Sequence, residues 1–393
     1  MNLKLLHKEV QDFLKENEKL SAVELVLKGS PFGGITPQEL ARQLIGRQKS
    51  QKKLPTWYQA QNILFPPNLN LEQTSSEFTA KYKSELVSGN LLVDTTGGFG
   101  IDSYFFSKKM EKIIHCETNA ELQQLADHNF KALEAKNIIS KNTDGIQEAL
   151  ELKKVDWLYI DPSRRSEVKG KVFFLKDCIP NVPLILEDCF KITDNILVKT
   201  SPILDISEGL KELKYVKEIH VVAVANEVKE LLWSLKKEVT RAPRIVAASI
   251  INNKTNSVSF SLKAEENAIA TFTEVQNYIY EPYAAVLKTG AFNWLSEEFK
   301  VGKLHRNSHL YTSENKINFP GRKFKVLQVN PFNKTVMKRF TGIKTNVVSR
   351  NFKQTVAQLR KKYKLKEGTD RYLFCTTDIN NNQIIIDCIK ISN

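Results

Sequence analysis

Residues 91–102 read Leu-Leu-Val-Asp-Thr-Thr-Gly-Gly-Phe-Gly-Ile-Asp. Asp94 closes a short apolar run, Gly97, Gly98 and Gly100 follow, and a helix is predicted from about Ile101. Glycines at such a place allow a sharp turn and let a ligand come close to the backbone. The start of the helix adds free N–H groups and the positive end of its dipole. The dinucleotide fingerprint G-x-G-x-x-G is not met, because the spacing here is G-G-x-G. An acid at the strand end disfavours a pyrophosphate beside it and favours a ligand that carries positive charge.

Outward from this turn, short apolar runs alternate with stretches of helical spacing. The runs are LLVD (91–94), KIIHCE (112–117), NIIS (137–140), VDWLYID (155–161), NILVKT (195–200) and KEIHVVAV (217–224). Near-continuous hydrophobicity predicts strands covered on both faces, and their alternation with helices predicts a parallel, doubly wound α/β sheet. RIVAASII (244–251) and SVSFSL (257–262) read as an antiparallel hairpin closing that sheet. Residues 1–88 read as helical, with Thr36-Pro37-Gln38-Glu39 as a helix start and a further helix over Ser75–Leu86. The expected division is a helical region 1–88, a sheet domain 89–264 and a basic α+β module 265–393. In the last segment, 281–299 is expected as one helix with a glycine inside it, 322–329 as a strand, 351–363 as a basic helix, and 371–377 with 383–389 as a hairpin.

The glycine stretch resembles motif I of the class I S-adenosylmethionine-dependent methyltransferases, D-x-G-x-G-x-G. In that alignment Asp94 is the strand-end acid, Gly98 and Gly100 fill the second and third glycine places, Gly97 precedes them, and Thr96 stands where the first glycine usually sits. Glu117 ends the next strand, 17 residues after Gly100, where a carboxylate can accept both ribose hydroxyls. Asp144 matches the family's residue near the adenine amino group and is also a sound helix N-cap. The resemblance implies a Rossmann-like fold and S-adenosylmethionine as cofactor.

Asp161-Pro162-Ser163-Arg164-Arg165 closes the fourth predicted strand, where open α/β sheets present reactive groups. It resembles motif IV of the same class, closer to the D-P-P-R of several RNA methyltransferases than to the aromatic form, with Ser163 departing from both. Asp161, with the Pro162 carbonyl, is the expected acceptor for the attacking group's proton. Arg164 and Arg165 could clamp a phosphate or a planar base, or pair with surface acids. Lys199 and Ser201, at the end of the fifth strand, are expected wall residues. Carbon-5 methylation of a pyrimidine would need a cysteine nucleophile, and Cys178 and Cys189 stand in apolar or helical contexts that favour a structural role.

The charge is lopsided. The chain has 58 basic and 44 acidic residues, net +14, yet residues 300–393 alone hold 20 basic and five acidic, net +15. A basic segment beside a nearly neutral remainder is the footprint of a polyanion binder, or a solvated surface. Aromatics alternate with lysine and arginine through 321–368, so phosphate contact and base stacking are both open, and Arg360, Lys361 and Lys362 are the candidate RNA contacts. EPYAAVLKTGAF, FPGRKF and the run into KEGTDRYLFCTT resemble the THUMP-like domain that follows a methyltransferase domain in a bacterial family. That resemblance implies RNA as partner, tRNA or rRNA. Five scattered cysteines without a C-x-x-C pair, six histidines without ligand spacing and the lack of a long apolar run point to a reducing, cytoplasmic setting with no metal and no membrane. The expected function is methyl transfer to structured RNA. A protein or small-molecule substrate, or a non-catalytic RNA binder on this fold, is the alternative; oligomeric state and target atom are left open.

Overall fold

The computed structural model describes residues 1–164 and 174–391. They fall into two compact units, Met1–Ile219 with Lys229–Arg241, and His220–Val228 with Ala242–Asn393. The N-terminal helices share a unit with the parallel strands, and the hairpin of 244–261 forms one edge of a nine-stranded sheet, as the sequence reading expects.

The first unit is built on β1 (Gly89–Asp94), β2 (Met110–Cys116), β3 (Ile138–Lys141), β4 (Trp157–Ile160), β5 (Asn195–Thr200) and parts of β6 (Val216–Val224) and β7 (Glu227–Lys236), whose residues from His220 to Val228 belong to the second unit. β3, β2, β1, β4 and β5 pair in parallel in that order, and β7 runs antiparallel to β5. With β6 beyond β7, these seven of the sheet's nine strands have the order 6-7-5-4-1-2-3. Helices cover the strands through the crossovers, so Leu92, Val93, Leu158, Ile160, Leu197 and Val198 are all buried. The order reverses between β1 and β4, and in open α/β sheets ligands bind beyond the carboxyl ends of the strands at such a switch point. β7 is absent from the predicted strands, because Leu231–Leu235 is a short apolar core with charged flanks in the sequence.

The N-terminal region is helical as expected. Thr36 caps helix Pro37–Lys53 through a reciprocal bond pair with Glu39, with Pro37 at the first position. Helix Glu77–Ser84 is capped by Ser76, slightly shorter than expected. Trp57 packs edge-on against Tyr104 of helix Ile101–Phe106, their centroids 4.8 Å apart.

The second unit holds the antiparallel hairpin β8 (Arg244–Ile251) and β9 (Lys254–Ser261). It also holds β10 (Tyr278–Pro282), β11 (Gly302–Lys303), β12 (Tyr311–Ser313), β13 (Gly321–Pro331), β14 (Asn346–Ser349), β15 (Arg371–Thr377) and β16 (Gln383–Ile391), in the order 11-12-10-13-16-15-14. Residues 281–299 are not one helix. Gly290, at φ +76°, ends helix Ala284–Thr289, and a second helix runs Phe292–Glu298. The basic helix is Val356–Tyr363, with Thr355 and Gln358 forming its capping box. No helix among the described residues is long and apolar enough to cross a membrane.

Candidate active site

At the end of β1 the chain turns sharply under tight hydrogen bonding. The Gly97 N–H donates to the Cys116 carbonyl at 2.8 Å, and the Gly100 N–H to the Gly97 carbonyl at 2.9 Å. A Cβ on Gly97 would lie 2.2 Å from the His115 imidazole, so this position must be bare. Burial pushes the His115 ring down to about 4, and it is neutral there. Gly98 is different. Its φ is +55°, a conformation costly for side chains, and a Cβ there would meet only the Thr96 carbonyl, at 4.0 Å. Its outer side is open, as a cradle for a ligand must be.

Asp94 is buried beneath this turn. Its carboxylate accepts from Ser103 Oγ at 2.5 Å and from the Thr96 N–H at 3.2 Å. Burial raises its pKa to about 7, against the pull of the Ser103 bond, with the charges of Asp102 and Asp161 adding to the rise. A cationic group beside it would favour the ionised form. Glu117 is held to the same turn: Oε2 accepts from the Gly98 N–H at 2.9 Å and Oε1 from the Asn119 N–H at 2.7 Å. Asp144 caps helix Gly145–Leu150 with one oxygen only, Oδ1 taking both the Ile146 and Gln147 N–H groups. That helix starts hard against the turn, since a Cβ on Gly145 would lie 2.3 Å from the Thr95 carbonyl oxygen.

Thr96 departs from the glycine of the motif, and the structure gives its hydroxyl a task. Thr96 Oγ1 accepts the Asp161 N–H at 2.7 Å, which pins the end of β4 to the glycine turn across the switch point. The Asp161 carboxylate forms an ion pair with Lys199 at the end of β5. Burial alone would lower the Lys199 pKa. The carboxylates of Asp161, Asp102 and Glu230 outweigh it and hold the ammonium well above its ordinary value. Pro162 is buried, and Ser163 is exposed and paired with Ile179 across a two-residue ladder that also pairs Arg164 with Cys178. Arg165 lies outside the described residues. Cys178 and Cys189 are buried, and burial pushes the Cys189 thiol up to about 11. Among the described residues, no group of three or more His, Cys, Asp or Glu is set to hold a metal.

Behind the Asp161–Lys199 pair lies a buried charge network that sequence reasoning missed. Lys83, fully buried, bonds both oxygens of Glu230 at 2.8 Å and stands 3.2 Å from Asp102 Oδ1. Asp102 also accepts from the Tyr159 hydroxyl at 2.8 Å and from Ser75 Oγ at 2.9 Å. Burial acts to raise the Asp102 pKa, yet the charges of Lys83 and Lys199 hold it below the usual carboxylate value. Burial raises that of Glu230 against the same two ammoniums. The available signal was helical phase. Thr79, Ala80, Lys83 and Ser84 share the buried side of helix Glu77–Ser84, so a lysine falls where an apolar residue is the default.

In the second unit the candidate residues part company. Arg360 Nη2 is 3.3 Å from Glu367, whereas Lys361 and Lys362 are exposed without an ion-pair partner among the described residues.

Residues 278–320 match the family model of a ferredoxin-like domain, and 321–390 that of a THUMP domain-like module. A crystal structure of a "putative methyltransferase" from Porphyromonas gingivalis W83 superposes with a TM-score of 0.89 at 30% identity, covering 99% of this chain and 98% of that one. The chain belongs to that protein's family. It therefore joins a methyltransferase-like α/β fold to a C-terminal ferredoxin-like and THUMP-like module. Partial likenesses include a methyltransferase from Geobacter sulfurreducens (11% identity, 55% of this chain and 96% of that one, TM-score 0.32). Another is an S-adenosylmethionine-dependent O-methyltransferase from Thermotoga maritima (16%, 45% and 73%, TM-score 0.30). No curated protein matches the chain.

Proposed function

We propose that this protein is an S-adenosylmethionine-dependent methyltransferase acting on structured RNA, tRNA or rRNA. The observation that carries the reading is the Thr96–Asp161 bond, which joins the glycine turn of β1 to the acid at the end of β4 across the switch point. The donor set fits the cofactor. Gly98 leaves an open cradle, Asp94 offers a buried carboxylate to a positive charge, Glu117 keeps lone pairs free for ribose hydroxyls, and Asp144 Oδ2 makes no contact in its cap. That cofactor would supply a methyl group on a sulfonium, open to in-line displacement.

Such a displacement asks the protein mainly for alignment. Thr96 fixes the backbone of Asp161, and Lys199 fixes its carboxylate. Asp161 then accepts a hydrogen bond from the attacking N–H or O–H and receives its proton. Lys199 stays protonated throughout, so it steadies the charge on Asp161 and does not compete as a base. The basic second unit supports RNA as the substrate class. The test is a pair of variants studied by calorimetry and turnover. Gly98→Val should lose cofactor binding while staying folded, and Asp161→Ala should keep cofactor binding while losing methyl transfer. Equal cofactor binding by wild type and Gly98→Val would refute the assignment of the turn.

A further inference from the structure

Among the aromatic side chains interleaved with the basic run 332–370, Phe340 and Tyr363 are buried and Phe332 and Phe352 are half-buried, so none offers a fully open stacking face. Phe332 packs edge-on against Phe352 at 4.8 Å and against Tyr363 at 6.3 Å, and Phe340 and Tyr363 are buried with Val336, Met337 and Leu359. No large apolar side chain between 332 and 370 is exposed among the described residues. The arginines are also largely consumed. Arg322 and Arg350 both clasp the buried Glu281, Arg371 forms a two-bond pair with Asp387, and Arg360 reaches Glu367.

Among the exposed cations outside these pairs, seven come from three segments that backbone bonds tie into one corner. Lys338 and Arg339 end one short helix, Lys344 lies in the loop after it, and Lys361, Lys362, Lys364 and Lys366 end the basic helix and continue past it. All seven are exposed, and none has an ion-pair partner among the described residues. Backbone bonds tie the segments together. The Gly342 N–H donates to the Lys364 carbonyl, the Thr345 N–H to the Lys366 carbonyl, and the Lys366 N–H to the Ile343 carbonyl.

Two features of this corner run against local stability. Lys344 and Lys366 stand directly opposite each other in a parallel bridge, where like charges repel. Lys364 adopts the left-handed conformation at φ +52° just past the helix, a position that glycine fills at no steric cost. Breaches of local preference without a structural gain mark functional positions.

We propose that this corner is a phosphate-binding surface that holds the backbone of a double-stranded RNA stem, without reading bases. The proposal rests on RNA being the substrate class. It follows from chemistry: lysines supply point charges for phosphates, and among the described residues no aromatic between 332 and 370 is fully exposed for a splayed base to stack on. A stem presents paired rows of phosphates at fixed spacing, which suits cations carried on three segments tied by backbone hydrogen bonds. A single strand gains affinity from open stacking faces, and the aromatics of 332–370 are buried or half-buried.

The test is fluorescence anisotropy with the full chain, using a labelled RNA hairpin with a long stem and an unstructured RNA strand of equal length. The stem should bind more tightly, losing on the order of 1,000-fold in affinity between about 50 and 200 mM salt if most of the seven cations engage. In Lys344→Ala/Lys364→Gly/Lys366→Ala the salt slope should fall by about one for each lysine removed. Lys364→Gly alone separates binding from structure, because glycine relieves the left-handed strain. It should weaken stem binding while the unfolding temperature holds or rises. Equal affinity for the single strand, or an unchanged salt slope in the triple variant, would overturn the proposal. Cofactor calorimetry on the same proteins keeps the readings apart. Stem binding without cofactor binding would sink the methyltransferase reading alone, and cofactor binding without stem preference would sink this one.

Discussion

Replacing Lys83 with methionine removes a cation that pairs with both Glu230 and Asp102. The ammonium is fully buried, and the Glu230 side chain is only 4% exposed. Methionine keeps most of the volume, so the loss is chiefly electrostatic. Breaking a buried pair by deleting one partner costs about 3–5 kcal/mol, because the remaining charge stays desolvated. Lys199 also faces Asp102 and Glu230, which points to the lower half of that range. The loss should depend on pH. Without Lys83 the folded-state pKa of Glu230, already raised, rises further. A carboxyl whose folded value lies above its unfolded value favours the fold at low pH, and that contribution disappears as pH rises through the folded value. The deficit should therefore be larger at pH near 8 than near 5. Urea unfolding followed by tryptophan fluorescence suits the question, because Trp57, Trp157 and Trp233 all lie in the first unit. Lys83→Met/Glu230→Met should recover much of the loss, since well-packed apolar groups replace buried pairs at little cost. A deficit under about 1 kcal/mol, or one equal at both pH values, would refute the reasoning.

Further outcomes follow from the same geometry. Cofactor affinity should fall by up to about tenfold per pH unit on acidification below about 7, as Asp94 takes up a proton, and Asp94→Asn should bind weakly with no such pH dependence. Calorimetry across that range checks both. Thr96→Ala leaves the Asp161 N–H without its acceptor, which should cost about 1–3 kcal/mol and lower turnover, whereas Thr96→Ser should behave as wild type. Denaturant titration and methyl-transfer rates on the two variants decide it.

Much of the sheet was legible because its strands are buried on both faces, so the runs at 91–94, 112–117, 155–161 and 195–200 stand out as near-continuous apolar stretches. The glycine turn was legible because its constraints are local. Gly97 is fixed by the ring beneath it and Gly98 by its φ, and both leave a mark in sequence. The partners of Asp161 were not. Thr96 and Lys199 lie 65 and 38 residues away along the chain and meet it only through strand order. Lys83 and Glu230 are 147 residues apart, and each looks like a surface charge until helical phase and burial are combined. In the basic segment, composition showed the charge but not its allocation. Only tertiary pairing separates the arginines held by acids from the lysines left free.

The central claim is methyl transfer to RNA. The most direct measurement incubates the purified chain with S-adenosylmethionine labelled in its methyl group and with RNA, protein and small-molecule fractions of a cell extract, Asp161→Ala serving as control. The account predicts label in the RNA fraction with wild type and none with the variant. Label in protein or small molecules alone, or incorporation that Asp161→Ala leaves unchanged, would contradict it.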